Sequence, residues 1–313
     1  MPHEQLFLKN FIDERYLSHP IGFPGASPLS ESLMIEIGIG NGEYIAGAAK
    51  RSPSHKFIGI DYQWPSVKRS LKKISQARLS NVSIFKSEAR TILERFVFEK
   101  SADHIYSLFP CPWPKRRNQK NRLFNRDFIK LVNSRLKDSG SFTMLTDHHE
   151  FFLWTKNESM DTGFDISGKQ LPTEGCTRYA RKWIQEGVKK FYELKLKKNF
   201  HIEYPLKEKK VMKSYRVDTF DPDRFHPENI TGSISVIFKE WLYDASMQKC
   251  LVRVIVSEEG FAQHLWISIS RDENSWKIKP SEGSAMIPTP GIQSALDRVY
   301  ETVIREKKLQ KAT

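Results

Sequence analysis

Two stretches of this chain combine residue types that do chemistry. The first runs from Leu108 to Leu123, LFPCPWPKRRNQKNRL. Pro110, Pro112 and Pro114 alternate with Cys111 and Trp113, and Lys115, Arg116, Arg117, Lys120 and Arg122 follow with no acid among them. Each proline fixes its own φ and pushes the residue before it out of the helical region. FPCPWP is therefore expected to be a stiff, extended segment leaving a strand end. A rigid loop that feeds into clustered cations suits a site that meets a polyphosphate chain. The second stretch is Glu36-Ile37-Gly38-Ile39-Gly40-Asn41-Gly42, between an expected strand and an expected helix. Glycines there let the backbone turn tightly and approach a ligand closely, and the helix start offers free N–H groups to an anion. Asp61 ends the next apolar run, where a carboxylate can accept hydrogen bonds from ribose hydroxyls. No Gly-Lys-Ser/Thr follows, which excludes a P-loop. The spacing is GxGxG rather than GxGxxG, so a dinucleotide stays open, while S-adenosylmethionine, a nucleoside with a zwitterionic tail and no pyrophosphate, fits better.

The elements that must position these residues follow from periodicity. Strands are expected at Leu33–Ile39, Lys56–Asp61, Val82–Phe85, Asp103–Phe109 and Ser141–Thr146, with helical runs at 43–50, 64–77, 89–98 and 121–137. Strands alternating with helices at this spacing predict a doubly wound, Rossmann-like parallel α/β sheet. After Asp147 the pattern weakens. His148 and His149 read as helix-start residues and Tyr192–Lys198 as a strand. Runs at 232–241, 251–257 and 263–270 alternate like strands, and Ile292–Lys307 reads as a helix. The organisation expected is a lead-in over 1–30, an α/β domain over 31–200 and a C-terminal α+β domain over 201–313.

At 313 residues, with 28% charged and 39% hydrophobic residues, the composition is that of a soluble globular protein. Neither a membrane-length apolar run nor a signal-peptide core is read in the chain. Three cysteines, Cys111, Cys176 and Cys250, are too few and too scattered for a disulfide framework or a zinc site, so a cytoplasmic location without a metal is expected. Trp113 reads as a packed lid on its loop and Cys111 as an inert buried thiol. The net charge of +13 is uneven: residues 1–200 carry 33 Lys/Arg against 21 Asp/Glu, and residues 201–313 carry 17 against 16. Trp113–Lys137 alone holds nine bases and one acid. Such a field favours a polyanionic partner, with nucleic acid foremost.

The strings EIGIGNGEY, FIGID, LFPCPWPKRR…KNRLF, LTD and a segment around Thr177 ahead of YELKLKK carry a resemblance. Residues 33–198 resemble the bacterial tRNA (guanine-N7-)-methyltransferases, which have the class I S-adenosylmethionine-dependent methyltransferase fold; residues 201–313 lie outside the resemblance. It implies methyl transfer to N7 of a variable-loop guanine in tRNA, position 46. It also implies that Glu36, Gly38, Gly40, Gly42, Asp61, Glu88 and Cys111 line the cofactor. Lys115, Asp147 and Thr177, Arg178, Tyr179 and Ala180 would line the guanine site, and Arg116, Arg117, Lys120 and Arg122 would meet the RNA backbone. Four positions depart from the family pattern. Cys111 stands where the family has its catalytic Asp, Ala180 where it has Glu, and Asn118 where a His is common. Glu88 replaces a shorter Asp or Asn. Cys111 and Asp147 are left as the residues nearest the chemistry. The implied alternative is a tRNA-binding homologue that has lost the guanine-binding carboxylates.

Overall fold

Short apolar runs set between amphipathic ones build a layered sheet here. The computed structural model describes residues 9–13, 15, 32–172, 190–207, 211–258 and 261–310. The chain divides into two compact units, Met1–Glu208 and Lys209–Thr313.

In the first unit, eight described strands form one sheet: β1 (Phe11–Ile12), β2 (Leu33–Ile37), β3 (Lys56–Asp61), β4 (Val82–Lys86), β5 (Ala102–Leu108), β6 (Leu136–Thr146), β7 (Phe164–Pro172) and β8 (Lys190–Lys198), in the order β1-β4-β3-β2-β5-β6-β8-β7. The first six in that order pair in parallel, and β8 inserts antiparallel between β6 and β7. The sheet is thus doubly wound, with an antiparallel edge rather than wholly parallel.

Register fixes the two faces. Phe57, Met34, His104 and Ser141 lie in one row across the sheet, so Phe57 points away from the side that Phe142 faces. On the Phe57 side, helices α1 (Glu43–Arg51) and α2 (Trp64–Gln76) bury Ile45, Ala49, Val67, Leu71 and Ile74 against Phe57, Val82 and Ile84. On the other side, α3 (Ala89–Phe96) packs beside α4 (Arg126–Arg135), the Phe124 ring just ahead of α4 lies 5.2 Å from that of Phe142, and α5 (His149–Glu158) places Phe152 over Gly168 of β7.

Three expectations are corrected. The helix read over Asn121–Lys137 is in fact a 3-10 helix, Arg116–Asn121, a break, and then α4. The break arises because the Asn125 side chain accepts from the Phe128 amide at 2.9 Å and caps α4, leaving Phe124 buried ahead of the helix. The Pro-rich run is not extended throughout: Phe109 and Trp113, each before a proline, have φ of 54° and 46°. Finally, β7 is not foreseen in the sequence, and α5 only at its start, His148 and His149, where the structure begins it. Leu153 of α5 is exposed beside buried Phe151 and Phe152, and β7 is a largely exposed edge strand ending in Pro172, so neither carries a clean period. Of the lead-in, only β1 and its neighbours are described; β1 pairs with β4.

The second unit is an antiparallel sheet in the order β10-β11-β12-β13-β9, from β9 (Tyr215–Val217), β10 (Ile234–Asp244), β11 (Lys249–Glu258), β12 (Phe261–Asp272) and β13 (Ser275–Pro280). Helix α6 (Pro290–Gln310) lays Ile292, Ala295, Leu296, Val299 and Val303 into the same core as Val236, Val252, Val254 and Ile267.

Candidate active site

Strands β3, β2, β5 and β6 are neighbours and run the same way, so their C-terminal ends form one rim. On it stand Asp61 at the end of β3, the glycine loop after β2, the Phe109–Lys115 loop after β5 and Asp147 after β6. Strand β2 is where the connections switch from one side of the sheet to the other, the usual ligand crevice of such folds.

The glycine loop is shaped by left-handed backbone at Gly38, Gly40 and Gly42, with φ of 78°, 54° and 71°. Side chains rarely adopt those angles. A Cβ on Gly38 or Gly40 would meet nothing within 4 Å, so both border open space. Gly42 differs, because a Cβ there would lie 2.6 Å from that of Ser70; glycine lets the loop press against α2. Asp61 holds the loop by accepting from the Gly40 amide at 3.2 Å, and it accepts from Gln63 at 2.9 Å. Burial pushes its carboxyl above the usual Asp range.

Glu36 is buried at 4% exposure at the end of β2. One side of its carboxylate accepts from the Ile45 amide in the first turn of α1, while Oε2 has no partner. Burial pushes its carboxyl well above the usual Glu range. A buried carboxylate oxygen without a donor, beside a loop facing open space, fits a ligand carrying a cationic or donor group. These residues therefore fit the ammonium and ribose of S-adenosylmethionine. Glu88 lies exposed at the N-cap of α3, with no side-chain capping bond.

The loop after β5 is anchored at both ends. The Phe109 amide donates to the Leu145 carbonyl at 2.7 Å, which ties the start of the loop to the end of β6. Cys111 is exposed, contrary to the buried thiol expected. Asp147 is half-buried and its carboxylate accepts no hydrogen bond among the described residues. Lys115 is exposed at the N-cap of the 3-10 helix, and Trp113 is half-buried. Arg116, Arg117 and Lys120 are exposed on that helix and pair with no acid among the described residues.

Arg122 is corrected. It is 5% exposed, its Nε donates to the Pro112 carbonyl at 2.9 Å, and its guanidinium lies 5.5 and 5.0 Å from the ring centroids of Phe151 and Trp154. It faces inward as a strut under the loop, and so is not on the surface offered to RNA. Sequence reasoning missed this because the aromatic partners come from α5. Thr177, Arg178, Tyr179 and Ala180 lie outside the described residues. His148 caps α5, its Nδ1 accepting from the Phe151 amide at 3.2 Å. Among the described residues no cluster of three or more His, Cys, Asp and Glu could hold a metal ion, and no helix is long and apolar enough to cross a membrane.

Comparison with known proteins adds an independent finding. Residues 30–193 match the model of a family described as "Putative methyltransferase". A tRNA (guanine-N(7)-)-methyltransferase of Chlorobium phaeobacteroides is 33% identical over 172 residues, 55% of this chain and 84% of the relative. Proteins with the same name from Thermotoga maritima and Aquifex aeolicus are 28% and 27% identical, over 86% and 93% of this chain and 88% and 98% of their own. Those two alignments cover more of the chain than its first 208 residues can supply, so the similarity continues into the second unit, beyond the stretch that carried the resemblance.

Proposed function

Because the chain belongs to the tRNA (guanine-N7-)-methyltransferase family, we propose that it methylates N7 of a variable-loop guanine in tRNA, position 46, with S-adenosylmethionine as donor. The observation that carries this reading is the shared rim. The glycine loop and Asp61 stand beside the Phe109–Lys115 loop and Asp147 on four adjacent strand ends.

Glu36, Gly38, Gly40 and Asp61 would hold the cofactor, which supplies an electrophilic methyl group on sulfonium. The free Oε2 of Glu36 takes a donor, and Asp61 takes the ribose while it pins the loop through Gly40. Guanine N7 has an in-plane lone pair and no proton, so no residue has to act as a base. The chain has to hold the guanine in line and to tolerate the positive charge that moves onto the purine. Asp147, with a carboxylate free to accept, takes the N1–H and N2 amine edge, and Lys115 faces the nucleotide's phosphate. Arg116, Arg117 and Lys120 hold the backbone.

A second reading, a tRNA-binding homologue with weak or no turnover, is favoured by Cys111, since a thiol accepts hydrogen bonds poorly compared with a carboxylate. Labelled S-adenosylmethionine and an unmodified tRNA transcript separate the two. Label recovered as 7-methylguanosine supports the enzyme; tRNA bound but unlabelled supports the binding protein.

A further inference from the structure

The longest stretch of the chain without an acid is Tyr62–Ser87, which holds Lys68, Arg69, Lys72, Lys73, Arg78 and Lys86. Most of it is α2. This helix turns Val67, Ser70, Leu71 and Ile74 inward, with Ser70 against the glycine loop: its hydroxyl donates to the Gly40 carbonyl at 3.4 Å. On the opposite half of the helix, Lys68, Arg69 and Lys72 are exposed and Lys73 half-exposed, and Arg78 is exposed in the turn beyond. Tyr62 and Trp64, at the start of the helix, are 61% and 43% exposed.

None of these five cations forms an ion pair with an acid among the described residues. Outside this helix and the Arg116–Lys120 cluster, several basic groups do: Arg90 with Glu94 and Asp127, Lys137 with Asp103, Arg216 with Asp272 and Arg253 with Glu240. Lys68 and Lys72, and Arg69 and Lys73, are four residues apart, where like charges oppose helix formation. The helix thus keeps a self-repelling face, without ion pairs among the described residues, beside the cofactor loop. Beyond Tyr62 and Trp64 at its start, the apolar side chains of the helix are spent in the core, so it has no continuous hydrophobic face to insert into a lipid surface. A polyanion in water is the ligand this face fits.

We propose that the outer face of α2, continued by Arg78, is a second contact for the tRNA phosphate backbone. It follows β3, and the Arg116–Lys120 cluster follows β5, so the two flank the loop after β2. The RNA is then gripped on both sides of the cofactor loop. This rests on the tRNA reading above and adds a surface to it.

The test uses the full chain and an unmodified tRNA transcript. Lys68→Gln, Lys72→Gln and Lys73→Gln are combined, and RNA affinity is measured across a salt series. The combined variant is expected to bind about tenfold more weakly at low salt, with the salt slope smaller by roughly two to three, near one per lost phosphate contact. Cofactor affinity should match the native chain, the melting temperature should be equal or slightly higher because like-charge repulsion along the helix is relieved, and the corresponding triple change to Arg should keep native RNA affinity. If the native chain binds tRNA and the Gln variant matches it in affinity and slope, the α2 contact is wrong while the tRNA reading stands. If the native chain binds no tRNA, the tRNA reading itself fails. Unchanged tRNA affinity with lost binding to phosphatidylglycerol vesicles would also overturn the proposal, in favour of a membrane surface.

Discussion

Arg122 and Pro112 are joined by a 2.9 Å hydrogen bond from Nε to the carbonyl, which ties the end of the basic 3-10 helix back under the loop it leaves. The next residue, Trp113, has a φ of 46° immediately before a proline, a conformation that costs energy for a non-glycine residue. The strut and the strained residue are adjacent, so the loop that presents Cys111 and Lys115 depends on a contact made from beneath.

Arg122→Lys keeps the charge and loses the planar group that both stacks on Trp154 and reaches Pro112. It should destabilise the protein by about 1–3 kcal/mol, the cost of an unpaired buried polar group, and slow methyl transfer while cofactor affinity holds. Adding Trp113→Gly, which removes the backbone strain, should recover part of the stability. Thermal melts and cofactor titration of the native chain and the two variants check this; an unchanged melt for Arg122→Lys would mean the strut carries no stability.

Glu36→Gln separates stability from function. Burial raises the Glu36 pKa in the folded state above its unfolded value near 4.5. The stability this contributes is fully present below about 4.5 and lost as pH rises through the raised value. At pH 8 the neutral Gln should therefore raise the melting temperature of the cofactor-free protein, and the gain should vanish below pH 4.5. The same change should weaken cofactor binding. A melt lowered at pH 8 would contradict this.

Asp61→Ala removes one group that pins the Gly40 amide and takes the ribose. Cofactor affinity should fall at least about tenfold, as for a charged hydrogen-bond partner worth roughly 1.5–3 kcal/mol. Calorimetry giving native affinity in a folded variant removes Asp61 from the site.

Cys111→Asp returns a carboxylate to an exposed position of the loop after β5. Single-turnover methyl transfer should rise by about one to two orders of magnitude, since each 1.4 kcal/mol is tenfold. Adding Ala180→Glu should raise it further. A native protein as fast as the double variant would shift the guanine contacts to Asp147 and to Glu150, exposed in the first turn of α5.

The glycine loop, Asp61 and the strands behind them were legible because local periodicity and turn chemistry settle them. The same holds for the basic cluster after β5. What escaped depends on partners distant in sequence. Arg122 reads as one more cation in a basic run until Phe151 and Trp154 close over it. Gly42 reads as a ligand glycine until Ser70 shows why no Cβ fits. The acid-free span of α2 was visible in the sequence, but its exposure and its lack of ion pairs emerge only once the helix is seated on the sheet.

The central claim is attack by guanine N7, and replacing that atom tests it most directly. Two tRNA transcripts are compared under single-turnover conditions with labelled S-adenosylmethionine, one with guanosine and one with 7-deazaguanosine throughout, whose position 7 is a C–H without a lone pair. The account predicts label in the first, recovered as 7-methylguanosine, and none in the second. Label in the deaza transcript, or label in any other nucleoside of the first, would contradict it.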